Sequence, residues 1–465
     1  MLFNSFNYLV FFVLVWVVFW FLLKDKKRLQ QIFLLVASCY FYMFFIPKYI
    51  LILGGTILVD YCAGIALEKQ KNDQKRTYIL WMSVLVTCLI LFVFKYFNFF
   101  SENIAHLAQF FGGECSIGWL SWALPIGLSF HTFQSLSYVI EVYYKRQKAE
   151  HNFLTYSLYV MYFPQLVAGP IERPANLLDQ LNKGFQFNNS LAHDGMRMIL
   201  WGLFKKVVIA DQCAQIVNDT YADISGASGI DLWYAAILFS IQIYGDFSGY
   251  SDIARGCSQL FGIQLIRNFA FPYFSQSIAE FWSRWHTSLS SWFRDYVYIP
   301  MGGNRVSKVK QVRNVLVVFL LSGLWHGAAW TFILWGLLNG VFVVLSSQIS
   351  IQFTQWKALK IFITFLITTT LWVFFRAENL SAALLQIDKM FFDWNISSIH
   401  TSINLKLWFV IIFFFVMEWF MRNKEHGMDI SNWKLPYRYS LYFLVYFLIF
   451  FLAVYPANQF IYFQF

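Results

Sequence analysis

An all-α, polytopic membrane protein is the fold that this sequence predicts, and three observations predict it. Only 13% of the 465 residues are charged, whereas 58% are hydrophobic; ordinary soluble domains carry about 25% charged residues. Apolar runs follow one another along the whole chain, too many for one water-excluded core. Clusters of lysine and arginine follow the first run and recur two and four spans later, in keeping with the positive-inside rule.

In order, the runs are Tyr8–Leu23, Ile32–Phe45, Ile50–Leu67, Ile79–Phe94, Leu232–Ile243, Val312–Leu321, Trp330–Leu345, Leu359–Phe375, Leu407–Phe420 and Leu441–Tyr455. Several fall short of the ~20 residues that a straight span needs, but flanking aromatics extend most of them, and about eleven spans are expected. Polar interruptions make some of them broken or re-entrant. The first run reads as a retained helix with its N-terminus outside. Nothing basic precedes it, Lys24, Lys26, Lys27 and Arg28 follow it, and no small-residue cleavage site is evident. Lys69, Lys71, Lys75 and Arg76 come two spans later, and Lys145, Arg146 and Lys148 two spans after that, so both groups are expected in the cytoplasm.

The net charge of +10 fits such loops better than a nucleic-acid surface, because no basic stripe interleaves with exposed aromatics in a soluble unit. No nucleic-acid partner is expected. Cys39, Cys62, Cys88, Cys115, Cys213 and Cys257 are scattered, mostly inside apolar runs, with neither a disulfide framework nor a metal-ligand spacing. All six read as core residues, and no metal is expected. With no linker or long soluble insert, residues 1–465 read as one membrane domain. Simple hairpins fill 1–118, nearly all the intramembrane polarity falls in 119–345, and plain apolar helices return in 346–465. Chemistry belongs in the middle third.

His326 is the sharpest signal there. It stands within the apolar stretch Leu320–Trp330, which continues through Leu345. An imidazole at membrane depth needs a partner or a wet cavity, so it defaults to a functional hypothesis, and histidine suits proton transfer near neutral pH. Ser322, Gly323, Gly327 and Ala328 leave room beside it for a substrate or another helix. A packed interhelical histidine at a Gly-xxx-Gly contact fits this segment equally well.

The segment Ile278–Tyr296 has a helical period, with Trp282, Trp285, His286, Leu289, Trp292, Phe293 and Tyr296 along one narrow face. It predicts one amphipathic helix, closed by Pro300 and Gly302-Gly303. His286 lies inside the aromatic stripe; it is either a site residue or an interfacial histidine among tryptophans. Arg294, Arg305, Lys308, Lys310 and Arg313 follow, opposed only by Asp295. This basic loop is expected in the cytoplasm, either as a plain topology signal or as a mouth that attracts a polyanionic donor.

Two further clusters interrupt the apolar pattern. Phe163–Pro174 contains three prolines, which cannot continue a regular helix. Irregular backbone at this depth must be buried in protein or line a cavity. Tyr244–Asp252 brings two carboxylates, Asp246 and Asp252, with Ser248 between them; they either line a pore or cap the next helix. Gln165, His131 and Gln134 are other cavity candidates. The sequence carries no Walker A loop, HExxH, GxSxG or GxGxxG pattern, which disfavours an ATP-driven pump, a zinc protease, a serine hydrolase and a dinucleotide enzyme.

Taken together, Phe163–Pro174, Gly245–Arg255, Asn268–Tyr273, Glu280–His286, Trp292–Gly303 and Leu324–Trp330 resemble the membrane-bound O-acyltransferase family. The match is closest to its bacterial alginate O-acetylation-type branch, which the opening Met1–Ser5 and closing Ile461–Phe465 also resemble. The resemblance spans essentially the whole chain and is densest over 160–335. It implies a ring of tilted helices around a tunnel in which a cytoplasmic acyl thioester meets an acceptor. It also implies that His326 is the essential base and His286 its partner, with Trp282, Trp285, Trp325 and Trp330 excluding water. Ser322, Asp246, Ser248, Asp252, Gln165 and His131 become tunnel-lining expectations, and Arg294 and Arg305 donor-side ones.

The same resemblance implies acetyl-CoA, or an acyl-carrier thioester, as donor substrate, with no tightly bound cofactor. The acetyl group would serve O-acetylation of an exported polysaccharide, often through an extracytoplasmic SGNH-type transferase. The setting would be a bacterial plasma membrane. D-alanyl transfer toward teichoic acid from a carrier protein is the alternative within the family. A transporter of lipid-linked sugars is the alternative outside it, although no internal repeat of the kind common in transporters is evident.

Overall fold

The computed structural model describes residues 1–113, 115, 117–167, 169–348, 356–394, 404–454 and 460–461. Among them every regular element is a helix. Residues 462–465, at the family-like C-terminal end, lie outside the described residues. The chain resolves into two compact units, one built chiefly from residues 6–188 and the other from 189–259 and 267–465.

The first unit contains α1 (Phe6–Val17), α2 (Lys27–Met43), α3 (Ile50–Lys69), α4 (Asp73–Leu91), α5 (Phe97–Phe110), α6 (Leu128–Tyr143), α7 (Phe153–Met161), α8 (Phe163–Leu166) and α9 (Pro174–Lys183). Asparagines begin two of these helices: Asn72 and Asn152 accept backbone N–H groups of the first turn, where no helical partner exists. Helices α3, α4 and α6 pack together around the buried carboxylate of Asp60, which accepts from Ser83 at 2.6 Å and Thr87 at 3.2 Å. Arg76 lies under the ends of α3 and α6 and donates to carbonyls there, including Val142. The proline-rich Phe163–Pro174 departs from regular helix, as expected: only the short α8 forms before the chain turns extended toward α9.

The second unit contains α10 (Asn189–Leu203), α11 (Asp211–Ala222), α12 (Gly229–Leu260), α13 (Ile278–Arg284), α14 (Thr287–Phe293), α15 (Lys308–His326), α16 (Trp330–Gln348), α17 (Lys357–Arg376), α18 (Leu380–Phe392), α19 (Leu405–Met421) and α20 (Leu435–Leu452). A wide π-helical stretch, Phe204–Ala210, joins α10 to α11. Helices α15 and α16 form an antiparallel hairpin at very short range. A methyl group on Gly323 would sit 2.3 Å from the Phe332 carbonyl oxygen, and one on Gly336 equally close to that of Phe319. Only glycine permits this approach, the packing device of membrane helices.

Five helical stretches among the described residues are long and apolar enough to cross a bilayer: 47–69, 73–110, 330–347, 357–376 and 435–452. The 32 residues of α12 reach about 48 Å at 1.5 Å per residue, but carboxylates keep its hydropathy low. Outward faces are rich in large apolar side chains such as Phe443 and Phe450 of α20, which suits a lipid environment. That same fact corrects the reading of the cysteines: Cys213 and Cys257 are buried, but Cys62 and Cys88 are exposed on α3 and α4. In a membrane protein the exterior is apolar as well, so an apolar neighbourhood does not imply the core.

Two expectations about local structure are overturned. Ile278–Tyr296 is not one helix: α13 and α14 are separate seven-residue helices with His286 between them at φ +45°. The backbone of residues 268–270 replaces the missing helical bonds, with Thr287 N–H donating to the Asn268 carbonyl and Ala270 N–H to that of Arg284, both at 2.9 Å. Conversely, Tyr244–Asp252 does not interrupt a helix or cap one, because α12 runs straight through it. Its carboxylates are tolerated mid-helix because lysines meet them, as described below.

Candidate active site

His326 is the last residue of α15 and is buried. Its ring is packed between Trp335 of α16, at 5.1 Å between centroids, and Phe375 of α17, at 5.3 Å. The neighbouring Trp325 ring lies 4.9 Å from His326 and 6.0 Å from His286. One indole therefore touches both imidazoles, although 40 residues separate them in the chain. Both imidazoles thus lie in the second unit, against the Trp325 indole.

His286 sits between α13 and α14. Its Nδ1 lies 3.2 Å from Asn268 Oδ1, and the Phe247 ring packs against it edge-on at 4.7 Å. Asn268 Oδ1 also receives the backbone N–H of Ser288 at 3.3 Å and its hydroxyl at 2.9 Å. A backbone N–H can only donate, so the atom facing it is an oxygen, and that oxygen can only accept from His286. In the neutral ring Nδ1 then carries the proton and Nε2 the lone pair. The left-handed backbone at His286 is uncommon for a residue with a side chain and is the kind of strain found at functional sites.

A groove of about 210 Å³ opens between the α13–α14 segment and the α15–α16 hairpin. Apolar side chains such as Leu289, Phe293 and Phe319 supply most of its wall, with Trp282, Arg294 and Ser322 also lining it. Ser322 is one helical turn before His326. Trp282 is fixed by its indole N–H, which donates to Asn339 Oδ1 at 3.1 Å, while Asn339 in turn donates to the Trp335 carbonyl. The groove thus collects three of the side chains singled out from sequence: Trp282, Ser322 and Arg294. Trp285 instead packs in the aromatic core, stacked on Phe281 and tilted against Trp372. Arg305 is exposed on the loop beyond.

Most of the other polar residues named from sequence have identifiable partners. Asp246 is 2.8 Å from the ammonium of Lys206, and Asp252 is 2.7 Å from that of Lys205. Ser248 is buried between them on α12. In the first unit, His131 Nε2 lies 3.1 Å from the Thr56 hydroxyl, and Gln165 and Gln134 both donate to the Tyr159 carbonyl. Lys205, Lys206, Asn339 and Glu418, which accepts from Tyr244 at 2.6 Å, escaped the sequence reading, and Asn268 entered it only as the start of a resembling segment. Lys205-Lys206 and Glu418 were visible as charges inside apolar runs; Asn268 and Asn339 gave no such signal.

Comparison with known proteins identifies the class. Residues 39–383 match the membrane-bound O-acyltransferase family. The chain is 36% identical over 440 residues to a probable alginate O-acetylase of Pseudomonas aeruginosa, covering 93% of this chain and 83% of that one. It is 35% identical over 420 residues to a peptidoglycan O-acetyltransferase of Helicobacter pylori, covering 83% and 78%. It is 31% identical over 231 residues to a teichoic acid D-alanyltransferase of Bacillus subtilis, covering 46% and 57%. Fold and comparisons together define a polytopic membrane enzyme that transfers acyl groups, which displaces the transporter reading. The chain belongs to the membrane-bound O-acyltransferase family.

Proposed function

We propose that this enzyme takes an acetyl group from a cytoplasmic thioester, acetyl-CoA, and passes it through the membrane for O-acetylation of an exported or cell-envelope polysaccharide. An extracytoplasmic SGNH-type transferase is the proposed receiving partner, and a bacterial plasma membrane with the N-terminus outside the proposed setting. The observation that carries the reading is the groove ending one helical turn from His326. It is narrow and apolar, as suits the pantetheine arm of a thioester donor, and Arg294 at its rim offers charge to the donor's phosphates. The acetylating relatives align along most of the chain, whereas the D-alanylating one aligns along less than half, so acetyl is preferred over D-alanyl.

In the proposed reaction His326 accepts the proton of the acceptor hydroxyl as its oxygen attacks the thioester carbonyl. A new C–O ester bond forms and the C–S bond breaks. The imidazolium then returns its proton to the departing thiolate. A positioned histidine base contributes about 10²–10⁴-fold, and holding both reactants in one site contributes further. His286, oriented by Asn268, assists from the far edge of Trp325. Thioester hydrolysis is disfavoured by the surrounding tryptophans.

The test is purified protein in nanodiscs with radiolabelled acetyl-CoA and a polysaccharide acceptor or the partner. Label should move to the acceptor with wild type and not with His326→Ala, whose chromatographic profile and thermal midpoint should stay those of wild type. Full transfer by that folded variant removes the base assignment. Flux of a sugar without covalent label removes the acyltransfer reading.

A further inference from the structure

A second cavity, of about 390 Å³, lies within the second unit, walled by the C-terminal turns of α11 and α17 and the first turns of α18. Its volume falls within the about 300–1,000 Å³ of small-molecule sites. Asn218, Tyr221, Arg376, Glu378 and Gln386 supply its polar lining, and none of them lines the donor groove.

Helix α17 fixes the depth of this cavity in the bilayer. Its 20 residues rise about 30 Å, the thickness of the hydrocarbon layer, and the stretch 357–376 is apolar enough to span it. Arg376 is its last residue, so the guanidinium stands at the level of lipid headgroups. Only Ala377, Glu378 and Asn379 separate α17 from α18. Helix α18 is amphipathic in the inverted sense: Leu380, Leu384 and Phe391 are exposed along one face, whereas Ala383, Gln386 and Met390 are buried on the opposite one. A helix facing water would reverse that arrangement. An apolar face turned outward and an amide turned inward suit a helix in the membrane interface, with its outer face among the acyl chains.

The polar lining is incomplete without a ligand. Gln386 is 1% exposed, and its Nε2 has no hydrogen-bond partner among the described residues, although a buried donor left so is costly. Arg376 donates through Nη2 to Asn218 Oδ1 at 3.2 Å, while its buried Nε is likewise without a partner among those residues. A guanidinium with donors to spare, oriented by Asn218 and backed by an amide N–H, matches a phosphate group. Glu378 lines the same cavity and forms no ion pair with Arg376 among the described residues. One wall thus attracts an anion and another a cation, and a ligand carrying both charges satisfies the two. We infer that this cavity binds the headgroup of an ethanolamine phospholipid, with the phosphate on Arg376 and Gln386 and the primary ammonium on Glu378. The bound lipid pins α18 to the ends of α11 and α17, and its role is independent of the transfer chemistry.

The test measures lipid binding, apart from turnover. The full chain in detergent micelles is titrated with phosphatidylethanolamine, phosphatidylcholine and phosphatidylglycerol of identical acyl chains, and with free phosphoethanolamine. Native mass spectrometry counts the bound lipid, and the thermal midpoint reports its effect. Choline carries no N–H for Glu378, and glycerol carries no positive charge. Wild type should therefore bind phosphatidylethanolamine roughly tenfold more tightly than either, the effect of one charge-assisted hydrogen bond. Glu378→Gln should erase that preference and leave phosphatidylcholine binding unchanged, whereas Arg376→Gln should weaken all three lipids. Glu378 is exposed, so its variant carries the test even if Arg376→Gln fails to fold. Equal binding of the three lipids, a preference that survives Glu378→Gln, or wild-type binding by folded Arg376→Gln would each overturn the inference. Free phosphoethanolamine raising the thermal midpoint as far as the lipid does would overturn it too, by making the ligand a soluble one.

Discussion

Lys206 holds Asp246 at 2.8 Å in the interior of the second unit, with Asp211 at 2.9 Å on the same ammonium. The second oxygen of Asp246 accepts the backbone N–H of Ile461 at 2.7 Å. The carboxylate thus fastens a residue near the C-terminal end to the middle of α12. Breaking a buried pair strands a charge, at about 3–5 kcal/mol, whereas replacing both partners by apolar groups is often near neutral. Lys206→Met, which leaves the buried carboxylates of Asp246 and Asp211 without their ammonium, should accordingly lower stability by about 3 kcal/mol or more, and Asp246→Asn by less, because Asp211 still meets Lys206. Thermal unfolding in detergent measures both. An Asp246→Asn protein with wild-type stability but lost activity would move Asp246 from scaffold to chemistry.

The α15–α16 hairpin fixes where His326 lies, and Gly323 sets its spacing. A side chain at that position meets the Phe332 carbonyl oxygen at 2.3 Å, so the helices must part. Overpacking of this kind costs about 1–3 kcal/mol, and a displacement of about 1 Å at a reacting group can cost about 10²-fold in rate. Gly323→Val should therefore lose roughly two orders of magnitude in acetyl transfer while still inserting into membranes. The check is turnover per folded molecule; wild-type turnover would show that the hairpin spacing does not govern the imidazole.

In the proposed reaction Asn268 makes and breaks no bond, but its Oδ1 faces His286 Nδ1 and favours the proton there. Asn268→Ala leaves the Ser288 N–H and the His286 Nδ1 without their shared acceptor, a loss of about 1–3 kcal/mol for a buried donor. The ring is then released to either tautomer. The expected outcome is a fall in the turnover rate with little change in the KM for acetyl-CoA. A rise in KM alone would assign His286 to donor binding. Nitrogen NMR of histidine-labelled protein gives an independent readout, because the tautomer ratio of one ring should shift.

Much of this site was legible in the sequence because ionisable groups stand out against an apolar background. His326 needed nothing more than its surroundings to be noticed. The break at His286 was hidden for a different reason. Trp282, Trp285 and Leu289 keep helical spacing across it, and the bonds that open the helix come from Asn268 and Ala270, outside the local pattern. In α12 the error ran the other way: glycines and carboxylates suggested an interruption, but Lys205 and Lys206, some 40 residues earlier, neutralise Asp252 and Asp246 and let the helix continue. Local signals failed wherever a distant partner supplied the compensating bond.

Ser322 offers the most direct probe of the proposed donor groove. Its side chain faces the groove one turn below His326, in a space of about 210 Å³ walled mainly by apolar groups. Ser322→Leu adds about three carbons to that wall without burying a polar group, so stability should change by less than about 1.5 kcal/mol, the usual range for tolerated apolar replacements. The lengthened side chain should nevertheless obstruct a thioester arm. A rise of roughly tenfold or more in the KM for acetyl-CoA is expected, equivalent to about 1.4 kcal/mol of lost donor binding, with the acceptor KM unmoved. Arg294→Gln should weaken the donor as well, but its effect should fade at high salt, since Arg294 is exposed and acts by charge. The steric effect of Ser322→Leu should persist at every ionic strength. Salt-insensitive and salt-sensitive KM changes in these two variants would trace the donor from its phosphate end to its reactive end; a normal donor KM in Ser322→Leu would show that the thioester reaches His326 by another route.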